Sequence, residues 1–249
     1  MKKRLDEVLV DRGLVATRSR ARDAILRGLV LVDGEVVTKA GATTRPDARL
    51  SIADGAGTEY VSRGALKLKA ALQHFGFEAK DRIALDAGAS TGGFTEVLLE
   101  HGARKVYAAD VGQSQLHLRI AARPEVVSLE GLDVRALDSS VVPEPVTALV
   151  ADLSFISLLK ALPPLLDLTA PGCWLVALIK PQFEVGRDAV GKGGIVRDAS
   201  ARAGAVARVE QLIAGTPRWT VAGVIPSPIE GGSGNIEYLI GARRDDRTD

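Results

Sequence analysis

From residue 83 onward the chain alternates short apolar runs with amphipathic stretches, and this alternation constrains the fold more than any other feature. Runs at Ile83–Ala87, Lys105–Ala109, Val126–Leu129, Ala148–Ala151, Trp174–Ile179, Trp219–Ile225 and Ile236–Ile240 predict seven strands. Stretches near Gly93–His101, Ser114–Ala122, Ser157–Leu166 and Ser200–Ala214 predict helices between them. Strands and helices in strict alternation predict an α/β domain with a mostly parallel sheet covered on both faces. Only a short Pro/Gly/Ser-rich connection joins the last two runs, so they are expected to pair antiparallel. Ligands bind such sheets at the carboxyl ends of the strands, where the strand order reverses. The residues that close each run are therefore the first candidates for function.

A smaller front part precedes this pattern. Leu5, Val8 and Leu9 recur at helical spacing before Gly13, and Thr17 is placed to cap a second helix over Arg18–Arg27 with Ala21, Ala24 and Ile25 on its apolar side. Arg18 and Arg22, four apart, share a face of it. Leu29–Val32, Asp33-Gly34 and Glu35–Val37 read as a hairpin closed by a type I′ turn, and Leu50–Ile52 as a further short strand. The turn-rich Asp54–Thr58 stretch marks a boundary, giving a small α+β domain over 1–57, a linker over 58–62 and the large domain over 63–249. The whole chain carries a net charge of only +1, but Met1–Arg27 holds eight Lys/Arg against four Asp/Glu. A basic front on a near-neutral body suits a polyanionic partner, with Arg4, Arg18, Arg20, Arg22, Arg27 and Arg63 as candidate RNA contacts, or else a merely solvated surface.

Composition removes several classes. Cys173 is the one cysteine, and the three histidines have no ligand spacing, so neither a disulfide framework nor a metal site is expected. The Met-Lys-Lys-Arg start is no signal core, and no apolar stretch nears the roughly 18 residues of a membrane span. A cytoplasmic protein is the expectation.

The glycine-rich turn Asp86-Ala-Gly88-Ala-Ser90-Thr-Gly92-Gly93-Phe94 follows the first strand of the large domain and opens a helix. It lacks the G-x-G-x-x-G of dinucleotide folds, because Ser90 stands at the second glycine position, and this disfavours a dehydrogenase. Its D-x-G-x-S-x-G-G form resembles the first motif of class I methyltransferases, which implies that Asp86, Gly88, Ser90, Gly92, Gly93 and Phe94 line a cofactor site. Asp110 closes the next strand, where a carboxylate can accept hydrogen bonds from ribose hydroxyls. Asp133 follows the third, where the resemblance implies a contact with the adenine amino group. Taken singly, each acid also suits a surface or a cap.

Four charged residues stand out by position. Lys67 lies early in the expected helix that starts at Ser62 and buries Leu68, Leu72 and Phe75, Asp152 at the tip of the fourth strand, Lys180 at the tip of the fifth, and Glu237 in the last. Lys180, closing an apolar run before Pro181, points out of the reactive edge of the sheet. A hydroxyl is a poor nucleophile until its proton is shared, and a lysine can take that proton where burial or a second cation favours its neutral form. Lys67 can be that cation, with Asp152 and Glu237 orienting the pair; Lys69 is a rival, and a solvated lysine and an exposed edge acid are the plain alternatives.

Ser-Arg-Gly-Ala-Leu-Lys67-Leu, the glycine turn, Ala-Asp152-Leu-Ser-Phe-Ile-Ser, Ile-Lys180-Pro-Gln-Phe-Glu and Gly-Asn-Ile-Glu237-Tyr together resemble the TlyA (haemolysin A) family over nearly the whole chain. That resemblance implies an S-four-type RNA-binding domain joined to a Rossmann-like, FtsJ-type methyltransferase domain. It implies S-adenosyl-L-methionine as methyl donor, Lys67, Asp152, Lys180 and Glu237 as a catalytic tetrad, and Glu59-Tyr60-Val61 as an interdomain linker. The implied reaction is 2′-O-methylation of a cytidine in ribosomal RNA, within ribosomal subunits or free. Because the chain runs only twelve residues past Glu237, the large-subunit RNA is the favoured target. Two other readings stand beside it: a non-catalytic ribosome-binding or assembly factor, which would have no cofactor affinity, and a membrane-active haemolysin. The glycine-rich 186–194 segment suits either a closing loop or a plain surface loop.

Overall fold

A computed structural model describes residues 3–15, 18–26, 28–39, 41–52, 60–231 and 234–247, apart from the side chains of residues 19, 20, 23 and 187. The chain divides into two compact units, Met1–Glu59 and Tyr60–Asp249.

In the first unit, α1 (Leu5–Asp11) and α2 (Arg18–Leu26) pack Leu5, Leu9, Ala21 and Ile25 into a small core with Val30. Strand β2 (Val30–Val32) pairs antiparallel with β3 (Glu35–Val37) and, on its other side, with β5 (Leu50–Ile52). Asp33 and Gly34, at φ 54° and 91°, make the expected turn between β2 and β3. Sequence periodicity was too short to show β1 (Lys3–Arg4) and β4 (Thr43–Thr44), which form a two-residue antiparallel pair. The expected cap Thr17 lies outside the described residues.

The second unit is built on a seven-stranded sheet. Its strands are β6 (Ile83–Ala87), β7 (Lys105–Asp110), β8 (Val126–Glu130), β9 (Val146–Ala151), β10 (Thr169–Ile179), β11 (Trp219–Pro226) and β12 (Tyr238–Arg244), in the order β11-β12-β10-β9-β6-β7-β8. Strands β8, β7, β6, β9 and β10 run parallel, and β12 pairs antiparallel with both β10 and β11. Alternate residues supply the two cores. Leu85, Leu149, Leu175 and Ile179 face α6 (Leu158–Asp167) and α8 (Ala199–Gly215). Ala84, Val150, Trp174 and Val176 face α3 (Gly64–Phe75) and α4 (Gly93–Glu100). Both faces are thus covered, as buried parallel strands require. The chain enters at β6, winds out to β8 and returns to β9, so the strand order reverses between β6 and β9.

Three expected elements differ. The helix expected over Ser114–Ala122 shrinks to α5 (Leu118–Ala121), because the backbone N–H groups of Gln115 and Leu116 are taken by the Glu130 carboxylate and that of His117 by Thr91 O. The last strand starts at Tyr238, so Glu237 lies just before it; its carbonyl accepts the Ser227 N–H, in register with the Pro226–Tyr238 pair. Ser62 offers no side-chain cap to α3, whose N-cap is Arg63.

Candidate active site

The glycine turn is built for close approach. Gly88 (φ 89°) passes under the end of β9, where a Cβ would stand 2.5 Å from the Asp152 carbonyl oxygen. Gly92 (φ 94°) starts α4 against Leu116, which a Cβ would meet at 2.9 Å. Ser90 holds a positive φ of 46°, and its N–H donates to Asp110 Oδ2 at 2.8 Å; the other Asp110 oxygen accepts from Gly112 N at 2.7 Å. Asp110 therefore shapes the turn from the end of β7. Asp133 is more occupied than the sequence suggested: it caps the 3-10 turn Val134–Ala136 and is gripped by the Arg135 backbone and guanidinium, which hold its carboxyl down at about 2. Exposed Val111 and Leu132 follow β7 and β8, offering apolar surface beside Asp110 and Asp133.

Asp86 is fully buried behind the turn, where Thr95 Oγ1 donates to its Oδ2 at 2.7 Å and Oδ1 has no hydrogen-bond partner. Burial pushes its carboxyl up to about 7, against the pull of the Thr95 hydrogen bond and reinforced by the negative charge of Asp152.

The four charged residues converge. Lys67 is buried, only 7% exposed, and its Nζ donates to Glu237 Oε2 at 2.6 Å across 170 residues of chain. Lys180 Nζ lies 2.6 Å from Asp152 Oδ1 and donates to Ser154 Oγ at 2.9 Å. Burial would raise the Asp152 carboxyl, but Lys180 and then Lys67 outweigh it and hold it below the usual carboxylate range. Both ammonium groups therefore act on one carboxylate at the carboxyl edge of the sheet. Lys69 is exposed and donates to the Tyr60 hydroxyl at 3.3 Å, which removes it as a rival.

Sequence reasoning missed several partners. Ser154 holds Lys180; Glu184, from α7 (Pro181–Glu184), holds the start of α6. Asn235 is buried two residues before Glu237, accepting from Val196 N at 3.0 Å and donating to Gly194 O at 2.8 Å. Ser154 lies two residues from Asp152, a hint that local spacing gave; the other two act across 26 and 39 residues, which no local pattern reveals.

Among the arginines, Arg4 and Arg18 converge on the buried Asp6, at 2.9 and 3.2 Å, and hold its carboxyl down at about 2, so part of their charge is spent inside the first unit. Arg22 is exposed, and Arg63 half-buried at the start of α3. Arg27 and the side chain of Arg20 lie outside the described residues. Among the described residues no group of three His, Cys, Asp or Glu is arranged to hold a metal, and no helix is long and apolar enough to cross a membrane.

The FtsJ-like methyltransferase family model matches residues 60–244, which carry the whole of this site. The chain belongs to the FtsJ-like methyltransferase family. The S4 domain model matches residues 3–50, the helix pair and hairpin of the first unit. The FtsJ-like chain is 44% identical to the 16S/23S rRNA (cytidine-2′-O)-methyltransferase TlyA of Mycobacterium tuberculosis, over 96% of this chain and 89% of that protein. It is 40% identical to hemolysin A of Brachyspira hyodysenteriae, over 95% and 98%. A solved structure from Streptococcus thermophilus superposes with TM-score 0.76 at 39% identity, covering 98% of this chain and 89% of that one. The O-methyltransferase of Bacillus cereus, at TM-score 0.52 and 18% identity over 76% of this chain and 84% of that one, shares the fold of the large unit.

Proposed function

We propose that this FtsJ-family enzyme transfers a methyl group from S-adenosyl-L-methionine to the 2′-hydroxyl of a cytidine in ribosomal RNA. The observation that carries the reading is the convergence of Lys67, Glu237, Asp152 and Lys180 at the strand ends beside the glycine turn. The donor, when bound there, supplies a methyl group activated on a sulfonium. The residues present fit it: Ser90 is exposed on the turn at the strand reversal, Asp110 is placed for ribose hydroxyls, and Val111 and Leu132 for a flat heterocycle. Lys180, once its ammonium has released a proton to solvent, takes the ribose hydroxyl proton, and Asp152 at 2.6 Å stabilises the ammonium that re-forms. Lys67, neutralised on its far side by Glu237, keeps Asp152 ionised and in place. Holding the ribose oxygen toward the donor's methyl group would lower the barrier further.

Phe155, 91% exposed at φ 65°, stands one residue beyond Ser154 with its ring centroid 5.3 Å from that of Phe183. Such an aromatic face suits an unstacked base, the form in which a single nucleotide of folded RNA is presented. The S4 unit supplies phosphate contacts that position rather than specify. The relatives' names that specify a ribosomal RNA all include the 23S, and that from Mycobacterium tuberculosis adds the 16S, so the large-subunit RNA is the favoured target. Two domains, 1–57 and 63–249 with a short linker, divide the work between RNA binding and chemistry.

The test is tritiated methyl transfer to ribosomal RNA and subunits, followed by mapping of alkali-resistant linkages, which a 2′-O-methyl group creates and a base methyl does not. Label at one alkali-resistant cytidine is expected. Label on a base, or none with donor binding intact, would contradict the reading.

A further inference from the structure

Asp152 and Lys180 lie at the ends of neighbouring strands, where the pairing of β9 with β10 stops at Ala151 and Ala177 and the Asp152 N–H still reaches Ala87 O of β6; the loop beyond Asp152 is not held by the sheet. Among the described residues, Leu153–Ile156 donate no backbone-to-backbone hydrogen bond. This loop is fastened instead by side chains of Lys180–Glu184: Lys180 on Ser154 at 2.9 Å, Phe183 against Phe155, and Glu184 on Ser157 Oγ at 2.5 Å and Leu158 N at 2.8 Å. Glu184 is buried, and Arg208 of α8 donates to its carbonyl at 2.8 Å, anchoring the turn from behind.

Capping alone does not account for this carboxylate. Ser157 already caps α6 by accepting from Leu159 N at 3.1 Å, and α5 and α8 are each capped by the residue directly before them. Burying an additional carboxylate carries a desolvation cost that a surface cap avoids. What Glu184 adds is a tie between the segment bearing Asp152 and the segment bearing Lys180.

We propose that Glu184 is a positioning residue for methyl transfer, clamping the loop after β9 to the turn after β10 and so fixing Lys180 and Asp152 relative to the bound ribose. The proposal rests on the methyltransferase reading above. It predicts a defect in kcat larger than any change in donor KM, because, among the described residues, the Glu184 carboxylate bonds only to the start of α6, whereas the glycine turn meets this segment only at Asp152 and Leu153. A displacement of about 1 Å at reacting groups can cost on the order of 100-fold in rate, so Glu184→Ala is expected to lower kcat by about 10- to 100-fold. Glu184→Gln keeps an acceptor for Leu158 N and a donor for Ser157 Oγ, and is expected to recover most of that rate.

The experiment measures kcat and donor KM on ribosomal RNA for the full chain and for Glu184→Ala, Glu184→Gln, Ser157→Ala and Asp138→Ala. It adds backbone hydrogen exchange of each protein without donor or RNA. Asp138 holds an exposed turn through Ser140 and Val141, near the opposite ends of the strands, and so controls for simple loss of stability. Expected are faster exchange at the hydrogen-bonded amides of 158–161 and of 183 and 185 together in Glu184→Ala, a kcat loss well beyond that of Asp138→Ala at matched melting temperature, and rescue by glutamine. Should Glu184→Ala not fold, Ser157→Ala, which removes one of the two bonds, is expected to lower kcat by about 3- to 10-fold, in proportion to a smaller displacement. Exchange unchanged in both segments, or kcat loss no larger than in Asp138→Ala, would overturn the clamp. A wild-type chain that transfers no methyl would instead defeat the methyltransferase reading, and the exchange arm would still decide whether Glu184 ties the two segments.

Discussion

Asp86 illustrates how a single residue couples this site to pH. Burial lifts its carboxyl to about 7, above the ordinary value of 3.8, so the folded chain holds this proton more tightly than the unfolded chain. The stabilisation from this group is complete below the ordinary value and is lost as pH rises through about 7. Asp86→Asn keeps an acceptor for Thr95 Oγ1 and cannot ionise. Its melting temperature is expected to match the wild type near pH 4 and exceed it near pH 8; parallel curves would contradict the burial argument. Lys67 and Glu237 give a second residue-scale prediction. Removing one member of a buried ion pair costs about 3–5 kcal/mol, because the other charge is left uncompensated. Lys67→Met should therefore be strongly destabilised in urea melts, and adding Glu237→Leu should return most of that stability without restoring methyl transfer. No return of stability at all would contradict the pairing of Lys67 with Glu237; the part not returned is the share of the Lys67 charge that acts on Asp152.

At the scale of the element, the turn between β6 and α4 depends on a glycine that space and backbone both require. Gly88→Ala places a Cβ 2.5 Å from the Asp152 carbonyl oxygen at a φ of 89°, so β6 and β9 must part. A strained residue of this kind costs about 1–3 kcal/mol. The expected result is a lower melting temperature and weaker donor binding by calorimetry; unchanged binding would place the donor elsewhere. The same scale shows what the sequence could reveal. Strand tips were legible because apolar runs stop where the sheet stops, and this located Asp152 and Lys180. Lys67 and Lys69 could not be separated, since they flank the buried Leu68 on either side and the apolar pattern does not say which flank faces the strand ends. Glu237 falls one residue before the strand expected to contain it, although its carbonyl still accepts the Ser227 N–H in register with the pair. The Ser114–Ala122 helix was over-read because Glu130, from another strand, takes its amides. Asp133 with Arg135 two residues on was a local pairing that the sequence offered and the adenine expectation passed over.

The whole molecule consists of two units, each with a core drawn from its own residues. Residues 60–249 alone are therefore expected to melt cooperatively and to bind donor, while losing affinity for RNA. The full chain should lose RNA affinity steeply with salt, as phosphate contacts release counterions. A shortened chain that binds RNA as tightly as the full one would remove the S4 unit from recognition. The division into a small front unit and a larger body was legible from the change of pattern near residue 60, whereas the charge of the first 27 residues suited a polyanion contact and a solvated surface equally. The internal use of Arg4 and Arg18 on Asp6 was not, because it depends on how α1 and α2 pack.

The central claim is that two lysines and two carboxylates at the strand ends perform the chemistry and that the donor is held apart from them by the glycine turn. Single-turnover methyl transfer with donor affinity measured in parallel, for wild type and Lys180→Ala, tests it most directly. The account predicts a donor Kd within about threefold of wild type, since no donor contact is removed, and a transfer rate lower by at least about 100-fold, the scale of a lost general base. Equal transfer rates in the two proteins would contradict it.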